Sequence, residues 1–182
     1  MRSALLFILF LLINFLGWGQ HYQPVDNGSS VKFSIKNFAL KVMGSFKGLE
    51  GSVIFNATDP GSASFQVSID AGSVNSGIDA RDNHLRKEEY FDVLKYPKIS
   101  IVSKQVTASG KPGVYTLTAI INLKGIYREI SFPFTVSAQK DGLLFTGEFK
   151  LNRRDFKVGG SSLILSDNLI VSLSVFAKKI TT

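Results

Sequence analysis

The sequence predicts an all-β fold, an antiparallel sandwich or barrel, crossed by one short helix. Three observations predict it. Over most of its length the chain alternates apolar and polar residues with period two, the mark of half-buried strands. Turn signals separate these runs at short intervals: Asp59-Pro60-Gly61, Ser109-Gly110-Lys111-Pro112-Gly113, Lys124-Gly125 and Asp141-Gly142. One segment, "IDARDNHLRKEEYFDVLKYPKI" from Ile78 to Ile99, breaks the pattern with ten charged side chains in twenty-two positions.

The chain opens with Arg2, an unbroken apolar run from Ala4 to Ile13, and small residues in Gly17-Trp18-Gly19. That three-part pattern predicts a secretory signal peptide over residues 1–19, cleaved to leave residues 20–182 as one exported domain, periplasmic or secreted. Interrupted at Asn14, the run falls short of the ~20 apolar residues a membrane span needs. The chain has no cysteine, which excludes a lipid-anchored lipoprotein, disulfide scaffolds, thiol catalysis and cysteine-based zinc sites. Packing alone has to hold it. The net charge of +7 suits transient contact with an anionic membrane surface or ligand, or serves only solubility. Nucleic acid is not an expected partner of an exported chain whose lysines are scattered.

Val31, Phe33 and Ile35 form the apolar phase of the first clear strand, against Lys32, Ser34 and Lys36. Lys41 to Lys47 and Gly51 to Asn56 fit the same mould less cleanly, as does Lys98 to Val106. Phe65, Val67 and Ile69 alternate with Gln66, Ser68 and Asp70. After Gly113 one face carries Tyr115, Leu117, Ala119, Ile121 and Leu123. Then come Ile130, Phe132, Phe134 and Val136; Leu143, Phe145, Phe149 and Leu151; and Val171, Leu173 and Val175. That makes eight or nine short strands with no repeat and no linker. Of fifteen phenylalanines only Phe7, Phe10 and Phe15 lie in the leader, so the domain carries a large aromatic load. A small barrel can use such a lining to hold one apolar ligand. A solid sandwich core, the more frequent outcome for an all-β chain, absorbs it too, and periodicity leaves both open.

From Asp79 to Tyr90 the period-two pattern and the β-branched residues disappear. Arg, Lys, Glu, Leu and Ala favour a helix of two to three turns. Asp79 is the expected N-cap and Asp82–Arg86 an expected i,i+4 pair, and Tyr96-Pro97 ends the segment. His84 and Glu88 stand one turn apart and could share a metal. A zinc site needs three or four ligands, however, and the other histidine, His21, falls in a flexible N-terminal stretch. No G-x-S-x-G elbow, HExxH or P-loop occurs. A structural hydrogen bond is the expected role of His84, and neither metal nor enzymatic activity is expected.

The stretch "RDNHLRKEEYFDVLKYPKI", Arg81 to Ile99, resembles the signature of the YceI-like family of exported lipid-binding proteins. So do "YQPVDNGSSVKFSIKNF", "LKGIYREISFPF" and "LNRRDFKVGGSS", in the family's order and spacing across nearly all of residues 20–182. The resemblance implies a lipocalin-like antiparallel β-barrel of about eight strands with a helix. It also implies export and a long apolar pore holding a polyisoprenoid chain such as a quinone or prenyl phosphate, with no other cofactor. The chain departs from the family pattern at three points. Gly28 and Asn37 stand where histidines are frequent, and Lys157 where a glycine is common after Asp155-Phe156.

The expected lumen wall is Phe33, Ile35, Phe65, Val67, Leu117, Ala119, Ile121, Phe132, Phe134, Phe145, Phe149 and Leu173. Arg81, Asp82 and His84 are expected to anchor the helix, with Leu85, Tyr90 and Phe91 packed beneath it. A minority reading gives these charged groups, with Arg153 or Arg154, a share in binding an anionic head group. Two function classes follow: a non-enzymatic carrier or buffer of a long apolar lipid, and a solid-core β-sandwich serving adhesion or interaction.

Overall fold

The computed structural model describes residues 20–180. The expected signal peptide, residues 1–19, lies outside the described residues. Among these residues are nine strands and one α-helix: β1 (Gln20–Pro24), β2 (Ser30–Asn37), β3 (Leu40–Phe55), β4 (Ser64–Asn75), α1 (Asp79–Leu85), β5 (Lys98–Ala108), β6 (Val114–Leu123), β7 (Ile126–Gln139), β8 (Gly142–Asn152) and β9 (Leu165–Lys179). All paired strands run antiparallel.

β3 pairs with β4 along one edge and with β1 and β2 along the other. β1 and β2 lie end to end, each bridging β3 to β9. Nine strands therefore make eight staves, and the β3–β4 pairing closes them into a barrel. Closure excludes the flat sandwich that the strand pattern had left open.

The clearest sequence pattern gives the clearest strand. Along β6, Tyr115, Leu117, Ala119, Ile121 and Leu123 are buried and every alternate residue is half-buried. Its hairpin to β7 turns through Lys124 (φ 54°) and Gly125 (φ 72°), two left-handed residues that match the twist of the flanking strands.

The structure departs from expectation in three places. Lys41–Lys47 and the second expected stretch, Gly51–Asn56, up to Phe55, are parts of one sixteen-residue strand, β3. Its pairing with β4 shifts register on either side of Lys47, the second shift spanning Gly48 (φ 76°), so bulges bend the strand without ending it. His21 is not in a flexible stretch: it lies in β1, opposite Ile54. Asp79 is the first helical residue rather than the N-cap; Ile78 caps without a side-chain bond. α1 is seven residues long, and the chain then descends through turns, with Asp92 left-handed (φ 51°), to Pro97 and β5.

At one end of the barrel lie the β2–β3 hairpin, α1, the β6–β7 turn and the β8–β9 connection. The opposite end carries the β1–β2, β3–β4, β5–β6 and β7–β8 connections. No helix among the described residues is long and apolar enough to cross a membrane. The outer wall carries ion pairs such as Lys104–Glu129 (2.6 Å) and Lys98–Glu50, where a lipid-facing barrel would need an apolar band.

Candidate functional site: the barrel lumen

The inward phase of the strands is solid at one end of the barrel and hollow towards the other. At the solid end Phe55 meets Tyr115 edge-on at 5.1 Å and Phe145 at 5.6 Å, and Phe65 meets Phe134 at 5.7 Å. Such T-shaped contacts place ring edges on ring faces and fill the interior. Above them opens a cavity of about 410 Å³, within the range of small-molecule sites. Its wall includes the stacked pair Phe132–Phe149 (4.5 Å) and the chain of rings Phe33–Phe46–Phe91 (5.6 and 5.4 Å).

Eleven of the twelve expected wall residues border this cavity: Phe33, Ile35, Phe65, Val67, Leu117, Ile121, Phe132, Phe134, Phe145, Phe149 and Leu173. Ala119 does not. It is fully buried among the core residues of β6, between Leu117 and Ile121, which do border the cavity. Sequence reasoning missed the contribution of β3, namely Val42, Phe46, Leu49 and Val53. Their spacing of four, three and four reflects the bulges, and a search for period two passes over it.

The cavity reaches the surface at the α1 end, where partly exposed Asn37, Arg81 and His84 stand in its wall. Here a hydrogen-bond chain ties α1 to the end of β4. The buried Asp82 carboxylate (4% exposed) accepts from the backbone N–H and hydroxyl of Ser76. Arg81 donates through Nε to Ser76 Oγ and through Nη2 to Ser76 O, both at 2.7 Å. Its Nη1 has no protein partner among the described residues.

Asp82 does not pair with Arg86. Arg86 instead reaches back to β4, donating to Gly72 O (2.8 Å) and Val74 O (3.0 Å), a strap that the i,i+4 reading overlooked. His84 makes no buried hydrogen bond: its half-exposed ring lies 3.3 Å from Glu89 Oε2, not Glu88, and edge-on to Tyr90 at 4.9 Å. Leu85, Tyr90 and Phe91 line the cavity below. Among the described residues no three His, Cys, Asp or Glu side chains gather as a metal-binding group.

Arg153 and Arg154 separate sharply. Arg153 is 3% exposed and donates to Ser166 O, Val158 O, Gly160 O, Leu165 O and Asp167 Oδ1 at 2.7–3.4 Å. A guanidinium has five N–H donors, and all five are taken. Arg153 thus pins the β8–β9 connection and keeps no donor for a ligand. Arg154 is exposed and does not border the cavity. Of Arg81, His84, Arg153 and Arg154, the two that border the cavity with a side-chain nitrogen not engaged by the described residues are Arg81 and His84.

The model of the YceI-like domain matches residues 22–177. Among sequence relatives, a UPF0312 protein of Photorhabdus laumondii is 26% identical over 144 residues, covering 75% of this chain and 74% of the relative. Protein YceI of Salmonella newport is 26% identical over 135 residues, 70% of each. A UPF0312 protein of Pectobacterium carotovorum is 28% identical, the match spanning 57% of that relative's length. Among solved structures, Burkholderia cenocepacia BcnA superposes with a TM-score of 0.78 at 24% identity, covering 82% of this chain and 96% of BcnA. A polyisoprenoid binding domain from Saccharophagus degradans, implicated in plant cell wall breakdown, gives 0.71 at 18% identity, covering 89% and 99%. At these identities the structures establish the shared fold.

Proposed function

The chain belongs to the YceI-like family, and from that premise we propose that it is an exported, non-enzymatic protein holding one long apolar chain of the polyisoprenoid type in its lumen. It acts as carrier or buffer, in transient contact with a membrane surface. The observation that carries this reading is the apolar cavity of about 410 Å³. Its wall is almost wholly apolar and it opens at the α1 end, so without a ligand it leaves aromatic and aliphatic side chains facing water, which an apolar chain would displace. An apolar cavity of this size, with a few polar groups at its mouth, has the form of a binding site rather than a packing fault. The description of the Saccharophagus degradans domain as polyisoprenoid binding points to the same ligand class.

The distribution of polarity sets the ligand's orientation. The tail lies against the aromatic plug of Phe65, Phe134 and Phe145, and a polar head meets Arg81 Nη1 and His84 at the mouth. Native mass spectrometry of the protein purified from its own envelope, followed by lipid extraction, tests the reading. Near-stoichiometric isoprenoid lipid is expected. A lipid-free protein that also fails to take up a polyprenyl phosphate or quinone from detergent overturns it. Intact mass tests export: the recovered chain is expected to begin at Gln20, and a mass that retains residues 1–19 rejects cleavage there.

A further inference from the structure

Among the described residues ten large hydrophobic side chains are exposed, and seven of them lie in or beside the connections at the mouth end. Phe38 (79% exposed) and Leu40 (71%) form the tip of the β2–β3 hairpin. Leu163 and Ile164 stand beside them, joined by a hydrogen bond from Phe38 N–H to Ile164 O at 2.6 Å. Ile78, Leu94 and Tyr127 extend the same end.

The tip is also anomalous in its backbone. Asn37 pairs with Leu40, so Phe38-Ala39 is a two-residue turn, and Phe38 has φ 56°. That position favours glycine, and a bulky residue there is strained. Nothing buries the ring to offset the strain. Strain of this sort at an exposed aromatic points to a role outside the fold.

Charge identifies the partner. Between residues 30 and 49 every charged side chain is a lysine: Lys32, Lys36, Lys41 and Lys47. Lys36 and Lys41 face each other directly across the hairpin, a destabilising like-charge pair. Among the described residues none of the four makes an ion pair. The nearest acid on the neighbouring strand, Asp167, already receives Arg153. An apolar tip flanked by unpaired lysines matches the layering of an anionic bilayer, with acyl chains below and phosphates above. Asn37 and Leu165, adjacent in sequence to Phe38 and Ile164, are themselves in the cavity wall, as is Val42, two residues beyond Leu40. The exposed apolar surface is thus continuous with the lumen.

We propose that the β2–β3 hairpin tip and the Leu163-Ile164 loop form a wedge that docks the barrel mouth onto an anionic lipid bilayer. A lipid then passes between bilayer and lumen without crossing water. The inference rests on the carrier reading for its purpose only, and lipid content is measured separately so that the two can fail independently.

The test is flotation of the full protein with phosphatidylglycerol–phosphatidylcholine vesicles and with phosphatidylcholine alone. Binding to the anionic vesicles, weakening as salt rises, is expected. Lys36→Gln with Lys41→Gln should weaken it roughly thirtyfold, at about 1 kcal/mol per lysine near the surface. Phe38→Ser with Leu40→Ser should abolish it while the variant melts like delipidated wild type and still takes up a polyprenyl phosphate from detergent. Phe38→Gly, which relieves the backbone, should be at least as stable as wild type and still lose binding. Failure of wild type to float overturns the proposal, as does floating unaffected by the Phe38 and Leu40 changes. A concentration-dependent dimer that these changes dissolve would assign the tip to a second copy instead, and would equally overturn it.

Discussion

Two neighbouring arginines have unequal consequences. Arg153 satisfies four backbone carbonyls and one carboxylate from a buried position, so Arg153→Ala leaves acceptors that water reaches poorly. A loss of about 3 kcal/mol is expected in denaturant unfolding. Arg154→Ala, at an exposed site, should stay within about 0.5 kcal/mol. The sequence "RRD" cannot tell the two apart, because backbone carbonyls leave no motif; what Arg153 binds is decided by how the connection folds over it. Lys157 is different, since its departure from the family pattern was visible in the sequence and the structure supplies the reason. It follows a 3₁₀ turn with φ 53°, the left-handed conformation that glycine adopts without penalty. Its carbonyl accepts from Lys124 Nζ at 2.9 Å, a contact that does not depend on the Lys157 side chain. Lys157→Gly should therefore raise stability, by about 1 kcal/mol once the extra freedom of glycine in the unfolded chain is subtracted. A thermal melt at constant lipid content checks it.

At the scale of elements, β3 decides whether the barrel closes. It contacts three other strands, and its bulges let it curve from β2 past β4 to β1. Gly51 makes that path feasible: with φ 121°, a Cβ there would stand 1.9 Å from Gln66 O, on the backbone of β4. Since backbone has no rotamer to yield, Gly51→Ala should break the β3–β4 seam. We expect loss of the cooperative unfolding transition, or a drop of several kcal/mol, well beyond the ~1 kcal/mol typical of a point change. Near-wild-type stability would show that the seam contributes little to closure. The same bulges explain what was legible in the sequence. β6, with strict alternation and a two-residue turn, could be read residue by residue. β3 read as two fragments because each bulge resets the phase. β1 was missed because five residues next to an apolar leader carry too short a pattern. In the Asp79–Leu85 segment helix type was legible from composition, but the Arg86 strap was not, because the i,i+4 rule offered a plausible local partner.

For the molecule as a whole, a filled barrel and a hollow one have the same inward phase, so periodicity alone could not separate a hollow barrel from a solid one. The volume left between side chains decides it, and that volume depends on where the aromatics pile up. Here they crowd one end and leave the other open. Two tryptophan substitutions turn the difference into a measurement. Ala119 is covered on all sides, so Ala119→Trp has to overpack the core and should destabilise the lipid-free protein by about 1–3 kcal/mol or more. Leu173 borders the cavity between Val31 and Gly147, and in Leu173→Trp the indole can turn into space that a ligand would occupy. That variant should unfold close to lipid-free wild type while losing most of its co-purified lipid. The comparison has to be made on delipidated proteins, because a bound ligand itself raises apparent stability. If Leu173→Trp proves as damaging as Ala119→Trp, the lumen has no room to offer, and the carrier reading falls with it.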